Sequence, residues 1–185
     1  AFVFAMMNTS VANVVFIIST QTMFLAIFGY FYLREKVSII GLLSIILAMM
    51  GITVMIGDSI SGGTLFGNLV ALTIPISFSI LVMIIRKNNN LDLVPAIWYA
   101  SISSTLISFL MVNDLSFTNN DILMGFFLGV PQLTFGFVCI TIGSRTTKSV
   151  TIGLLMLTET IFAPLWVWLF LNEIPPMSVF IGGSI

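Results

Sequence analysis

The sequence predicts an all-α protein that crosses a membrane several times, and three observations predict it. Of the 185 residues, 58% are hydrophobic and only 7% are charged, against about 25% charged in an ordinary soluble domain. Apolar runs of the length a helix needs to span a bilayer, about 20 residues, recur along the chain. The six basic residues, Arg34, Lys36, Arg86, Lys87, Arg145 and Lys148, sit in every second polar stretch between those runs. Cytoplasmic loops collect Lys and Arg, so residues 34–37, 86–92 and 144–148 are expected on the cytoplasmic side of a cell inner membrane. A net charge of −1 offers nucleic acid no basic surface. The chain has no histidine and a single cysteine, Cys139, which rules out an internal disulfide and a His/Cys metal site. Neither metal nor cofactor is expected.

Taken in order, residues 1–7 read as the tail of a helix and Asn8, Thr9 and Ser10 as a polar turn able to cap the next one. The first whole span is expected from Val11 to Leu33, closed by Arg34, Glu35 and Lys36. A second runs from Ser38 to Ile56. The Gly/Ser-rich residues 57–64 read as a turn. The third span covers Leu65 to Ile85 with Pro75 at its middle, and the fourth Leu93 to Val112. The fifth, Ile122 to Gly143, is expected to break at Pro131, beside Gln132. The sixth, Ser149 to Leu171, carries Glu159 inside an otherwise apolar run and ends before Glu173, Pro175 and Pro176. Residues from Met177 onward begin a seventh. With apolar segments cut at both ends, the chain reads as a fragment.

The chain also repeats itself. An offset of 138 positions lays the segment from Asn8 on the segment from Thr146 without a gap, matching Glu35 with Glu173, Thr20 with Thr158, Thr22 with Thr160, Phe24 with Phe162 and Leu33 with Leu171, and setting Gln21 on Glu159. Five crossings separate the copies, so the repeat is inverted, an arrangement that places substrate sites near mid-membrane between the halves.

A span ending in an apolar residue and then Glu at the membrane surface, as in FGYFYLREKVS and again in VWLFLNEIPP, resembles the EamA-type drug/metabolite transporter superfamily. The small-residue segment NTSVANVV and the run TETIFAPLWVWLF are similar to that family's fourth and ninth helices. The resemblance implies a ten-helix bundle of two inverted five-helix repeats. Residues 1–56 would close the first repeat (end of helix three, helices four and five), 57–64 would form an extracytoplasmic linker, and 65–185 would hold helices six to nine and the start of ten. Helices one and two would lie outside the sequence.

An acid at the centre of a membrane helix costs about 2.5–3.5 kcal/mol on insertion scales and is functional by default. Glu159 is therefore the leading candidate for binding substrate or carrying a proton, with Gln21 as its repeat-mate and Thr158 beside it. Trp166 lies two turns along the same helix face and suits a cationic or amphipathic solute through its ring. Gln132, next to the helix-breaking Pro131, is the remaining candidate. Glu35 and Glu173 form the helix-end motif; Glu35, between Arg34 and Lys36, is expected to pair with them locally. No nucleophile stands with a base, so an enzyme is not expected. The reading is a secondary transporter of small metabolites or drugs, exporting by alternating access, with Glu159 the candidate for proton coupling. Its rivals are a passive channel and a non-transporting scaffold. Lipid and a small-molecule substrate are the expected partners, and Gly41, Gly51, Gly182 and Gly183 allow close helix packing within one chain or in a homodimer.

Overall fold

The computed structural model describes residues 2–56, 64–111, 118–171, 174 and 177–184. Every described element is helical: α1 (Phe2–Asn8), α2 (Val11–Ser19), α3 (Gln21–Leu33), α4 (Ile39–Ile56), α5 (Leu65–Lys87), α6 (Val94–Met111), α7 (Asn119–Phe127), a π-helical turn (Leu128–Thr134), α8 (Phe135–Gly143), α9 (Ser149–Leu171) and α10 (Met177–Ser184). Helices are what lipid demands, since each backbone N–H and C=O must find its partner inside the segment.

Four stretches are long and apolar enough to cross a bilayer: Asn13–Leu33, Leu65–Lys87, Asn119–Gly143 and Ser149–Phe170. The second and fourth expected spans correspond to the shorter apolar helices Ile39–Val54 and Val94–Leu110. The helices that hold them, α4 and α6, run to the last described residues before a gap, Ile56 and Met111. The 57–64 turn, apart from Thr64, and Glu173, Pro175 and Pro176 lie outside the described residues.

Two expectations change in detail. The span expected from Val11 to Leu33 stands as one apolar stretch, with a turn at Thr20 between α2 and α3. The expected break at Pro131 is a π-helical turn, with the Thr134 hydroxyl donating to the Gly129 carbonyl five residues back at 2.8 Å. Proline lacks the N–H that the ladder needs and its ring crowds the preceding turn, so a wider turn relieves both problems.

The chain divides into two compact units. The first comprises residues 1–84 and 147–185. Its most extensive helix pairings are α3 with α9 and α4 with α10. Leu25, Val82, Met83 and Ile152 form one buried cluster, with Phe28, Leu33 and Phe78 packed on it. Ala5, Val14 and Ala71 form another. Polar side chains pin the second cluster's end: Thr9 donates to Asn68 at 2.7 Å, Thr64 donates to the Asn8 carbonyl at 2.5 Å, and Ser10 caps α2 by accepting from Asn13 N–H. There the buried Gly67 lies so close to the Asn8 backbone that a Cβ would stand 2.6 Å from its carbonyl oxygen.

The second unit, residues 85–146, holds α6, α7, the π turn and α8, with α6 packed on α8. Asp92 caps α6 by accepting from Val94 N–H at 3.3 Å and takes Arg145 at 2.7 Å. A Thr118–Asp121 capping box opens α7.

Burial runs opposite to a soluble protein. Thr22, Ser79 and Ser149 are fully buried, while Phe31, Leu110, Phe170 and many other large apolar side chains are exposed. In lipid an outward Leu or Phe costs nothing, and helices associate through small and hydroxyl residues that let their backbones approach.

Candidate functional site

The interruption at Thr20 is built from hydroxyls. Ser19 donates to the Val15 carbonyl at 2.8 Å and Thr20 to the Ile17 carbonyl at 2.5 Å. The Thr20 backbone N–H also turns to Ile17, three residues back, at 3.1 Å. Back-bonding of this kind bends helices, and a tightened turn in mid-helix often marks a hinge. Thr20 lies nine residues into a 23-residue stretch, roughly 14 Å along the axis at 1.5 Å per residue. That is near the centre of a hydrocarbon layer about 30 Å thick. Gln21, the first residue of α3, is buried there.

Immediately beyond, α3 crosses α9. The fully buried Thr22 hydroxyl donates to the Gly153 carbonyl at 3.1 Å. A Cβ on Gly153 would stand 2.8 Å from Thr22 Cγ2 and 2.9 Å from its Cα, so the crossing requires glycine. Toward the end of α3, a Cβ on Gly29 would meet Ser149 Cβ at 3.0 Å. Sequence reading paired Thr22 with Thr160 across the repeat but did not single out Thr22, Gly29, Ser149 or Gly153. The four-residue spacing of small residues, Ser149 to Gly153, is the signal that points to them.

Along the next turns of α9 opens a cavity of about 270 Å³, lined by Ser44 and Ala48 of α4, Leu157, Thr158 and Thr160 of α9, and Gly182 of α10, with further apolar side chains. Its lining carries no charge. Thr158 donates its hydroxyl to the Leu155 carbonyl at 2.6 Å, leaving lone pairs to accept. Pro164 has no N–H to return to the Thr160 carbonyl four residues earlier. The walls therefore offer hydroxyls and a carbonyl among apolar surface, chemistry suited to a small solute with few polar groups.

Of the sequence candidates, Gln21 and Thr158 lie on the two helices that cross, and Thr158 lines the cavity. Glu159 follows it, is exposed, and is not among the residues that line the cavity. Trp166 is also exposed, its ring stacked on Phe170 with centroids 5.8 Å apart. Gln132 stands exposed in the π turn of the other unit. Glu35, expected to pair locally with Arg34 and Lys36, reaches across to α9. Arg34 takes a left-handed conformation (φ 53°) that turns the chain back on α3, and the Glu35 carboxylate accepts from Ser149 N–H at 3.0 Å. Glu173 lies outside the described residues.

Residues 65–185 match the EamA-like transporter family. A solved crystal structure superposes with a TM-score of 0.86 at 16% sequence identity, covering 99% of this chain and 68% of that one, a likeness of fold. No curated protein matches the chain.

Proposed function

Because this chain belongs to the EamA-like transporter family, and is thus a multi-pass membrane protein that moves small solutes, we propose that it is a secondary exporter of metabolites or drugs working by alternating access. The observation that carries this reading is the mid-span interruption at Thr20, beside buried Gln21, where α3 crosses α9. Transporters use interrupted helices at repeat interfaces to build a site at the membrane midplane.

The reading includes two inverted five-helix repeats, with residues 1–56 in the first, 57–64 as an extracytoplasmic linker and 65–185 in the second. Its support is the pairing of helices. Under the 138-residue offset α3 falls on α9 and α4 on α10, and these are the pairs that pack on each other. The basic loops face the cytoplasm of the inner membrane on the charge argument alone. The solute binds beside Gln21, Thr158 and the cavity hydroxyls, Glu159 couples its movement to a proton, Trp166 borders its path, and Gln132 of the second unit is a separate candidate contact.

Reconstitution in liposomes tests this. With an imposed pH gradient and a pool of radiolabelled amino acids, sugars and nucleosides, the wild type should show saturable, gradient-driven flux. Glu159→Gln should insert normally and lose the dependence on the gradient. Gradient-driven flux that survives the substitution would remove Glu159 from the mechanism. Flux that never saturates would make the protein a channel.

A further inference from the structure

Helix α9 begins without a cap of its own. Lys148 holds the N-cap position, since its carbonyl accepts from Ile152 N–H at 3.0 Å, and a lysine side chain has no acceptor for the free N–H groups of a first turn. Its mate under the 138-residue offset is Ser10, whose hydroxyl does cap α2. On α9 the acceptor comes from 114 residues earlier, when Glu35 Oε2 takes the Ser149 N–H. The end of a helix in one repeat thus holds the start of a helix in the other.

Several features converge on that spot. Arg34 bears a positive φ without being glycine, a conformation kept only where its surroundings enforce it. The Glu35 N–H returns to the Gly29 carbonyl at 3.0 Å. A Cβ on Gly29 would lie 3.1 Å from Glu35 Oε2 and 3.0 Å from Ser149 Cβ, so helix, cap and turn touch at one point. Ser149 and Thr22 are fully buried. Opening this end would take from the Ser149 N–H its carboxylate acceptor and from the Gly153 carbonyl the hydrogen bond it accepts from Thr22 across the crossing.

We propose that Glu35 is a positioning residue that caps α9 from the opposite repeat, and that the α3–α9 crossing at this end stays closed through the transport cycle as a fulcrum. The inference rests on the transporter reading above. Movement then occurs toward the other end of the crossing, where Thr20 interrupts the helix.

The test uses the full protein in lipid nanodiscs and in liposomes. Hydrogen exchange reads the cap: Glu35→Ala should speed exchange of the Ser149–Ile152 amides roughly fivefold, the effect of losing a typical cap, while Glu35→Gln, which keeps an oxygen acceptor, should restore protection. Equal exchange in all three proteins overturns the cap. The fulcrum is read by a disulfide between Gly29→Cys and Ser149→Cys in a Cys139→Ser background. A disulfide needs its Cβ atoms about 3.5–4.5 Å apart, within about 1.5 Å of the native approach. The cross-linked protein should retain most of the wild-type flux of the labelled pool, and the same cross-link should rescue flux in Glu35→Ala. Flux abolished by oxidation and restored by reduction would make this end a gate and overturn the fulcrum. Absence of flux in the unmodified wild type would instead overturn the transporter reading, and the fulcrum with it.

Discussion

Replacing Gly153 by alanine is the sharpest probe of the α3–α9 crossing. The new methyl would stand 2.8 Å from Thr22 Cγ2 and 2.9 Å from Thr22 Cα. Rotating the threonine relieves the first contact, but the second is with backbone, so the helices must part by roughly 0.6–1 Å to reach ordinary carbon separations. Overpacking of this kind costs about 1–3 kcal/mol. The same movement stretches the Thr22–Gly153 hydrogen bond from 3.1 Å beyond bonding range, a further loss of about 0.6 kcal/mol by membrane double-mutant cycles. Alanine's better helix propensity returns about 1 kcal/mol. The net destabilisation is about 0.6–2.6 kcal/mol, a fall in apparent melting temperature of about 1–10 °C for a chain of this size. The assay is thermal unfolding in detergent beside Gly136→Ala, where nothing lies within 4 Å of the added methyl. That control keeps only the propensity gain and should melt at or slightly above the wild type. If Gly153→Ala melts as high as Gly136→Ala, the close crossing is wrong.

Gly67→Ala should be costlier still, about 3 kcal/mol or more, because its methyl meets only backbone and a short side chain: the Asn8 oxygen at 2.6 Å, the Asn8 carbon at 2.7 Å and Thr9 Cβ at 2.9 Å. The same melting assay should rank it below Gly153→Ala, and a loss under about 1 kcal/mol would refute the tight α1–α5 joint. Arg34→Gly should raise the melting point, relieving a left-handed residue whose strain is about 1 kcal/mol, whereas Arg34→Ala should not; a fall with glycine would show that the side chain, and not the turn, matters there.

How much of this was legible in the sequence differs element by element. The spans were legible because lipid leaves a composition signal that no loop shares, and the Ser10 cap because a hydroxyl before an apolar run has few other uses. The packing of α3 on α9 and of α4 on α10 was not legible, although the 138-residue offset lays the members of each pair on one another. The turn at Thr20 was hidden, since the back-bonds of Ser19 and Thr20 carry no Gly or Pro signature. Glu35 misled for an electrostatic reason. Flanked by Arg34 and Lys36 it reads as a surface ion pair, worth little, yet the backbone turn at Arg34 sends its carboxylate to a helix start that only the fold brings near. Gly29 and Gly153 left only the faint signal of small-residue spacing, because their role is to lack a side chain where another helix passes.

The difference between the two helices aligned by the 138-residue offset is what gives the proposed crossing a direction. In one copy the start of the span is capped locally by Ser10 and its middle is interrupted at Thr20. In the other, Lys148 replaces the capping serine, the cap arrives from Glu35, and the helix runs without interruption through Thr158, the mate of Thr20. A helix held at its start and unbroken through its middle moves as a rod. One tightened at its midpoint by hydroxyls can flex there without breaking a regular hydrogen-bond ladder, since the side chains already share the carbonyls. Under the proposed fulcrum the two helices laid on each other by the 138-residue offset take different mechanical parts, and the cap on α9 makes the difference, because without it the start of the rod would fray at the point where it meets Gly29.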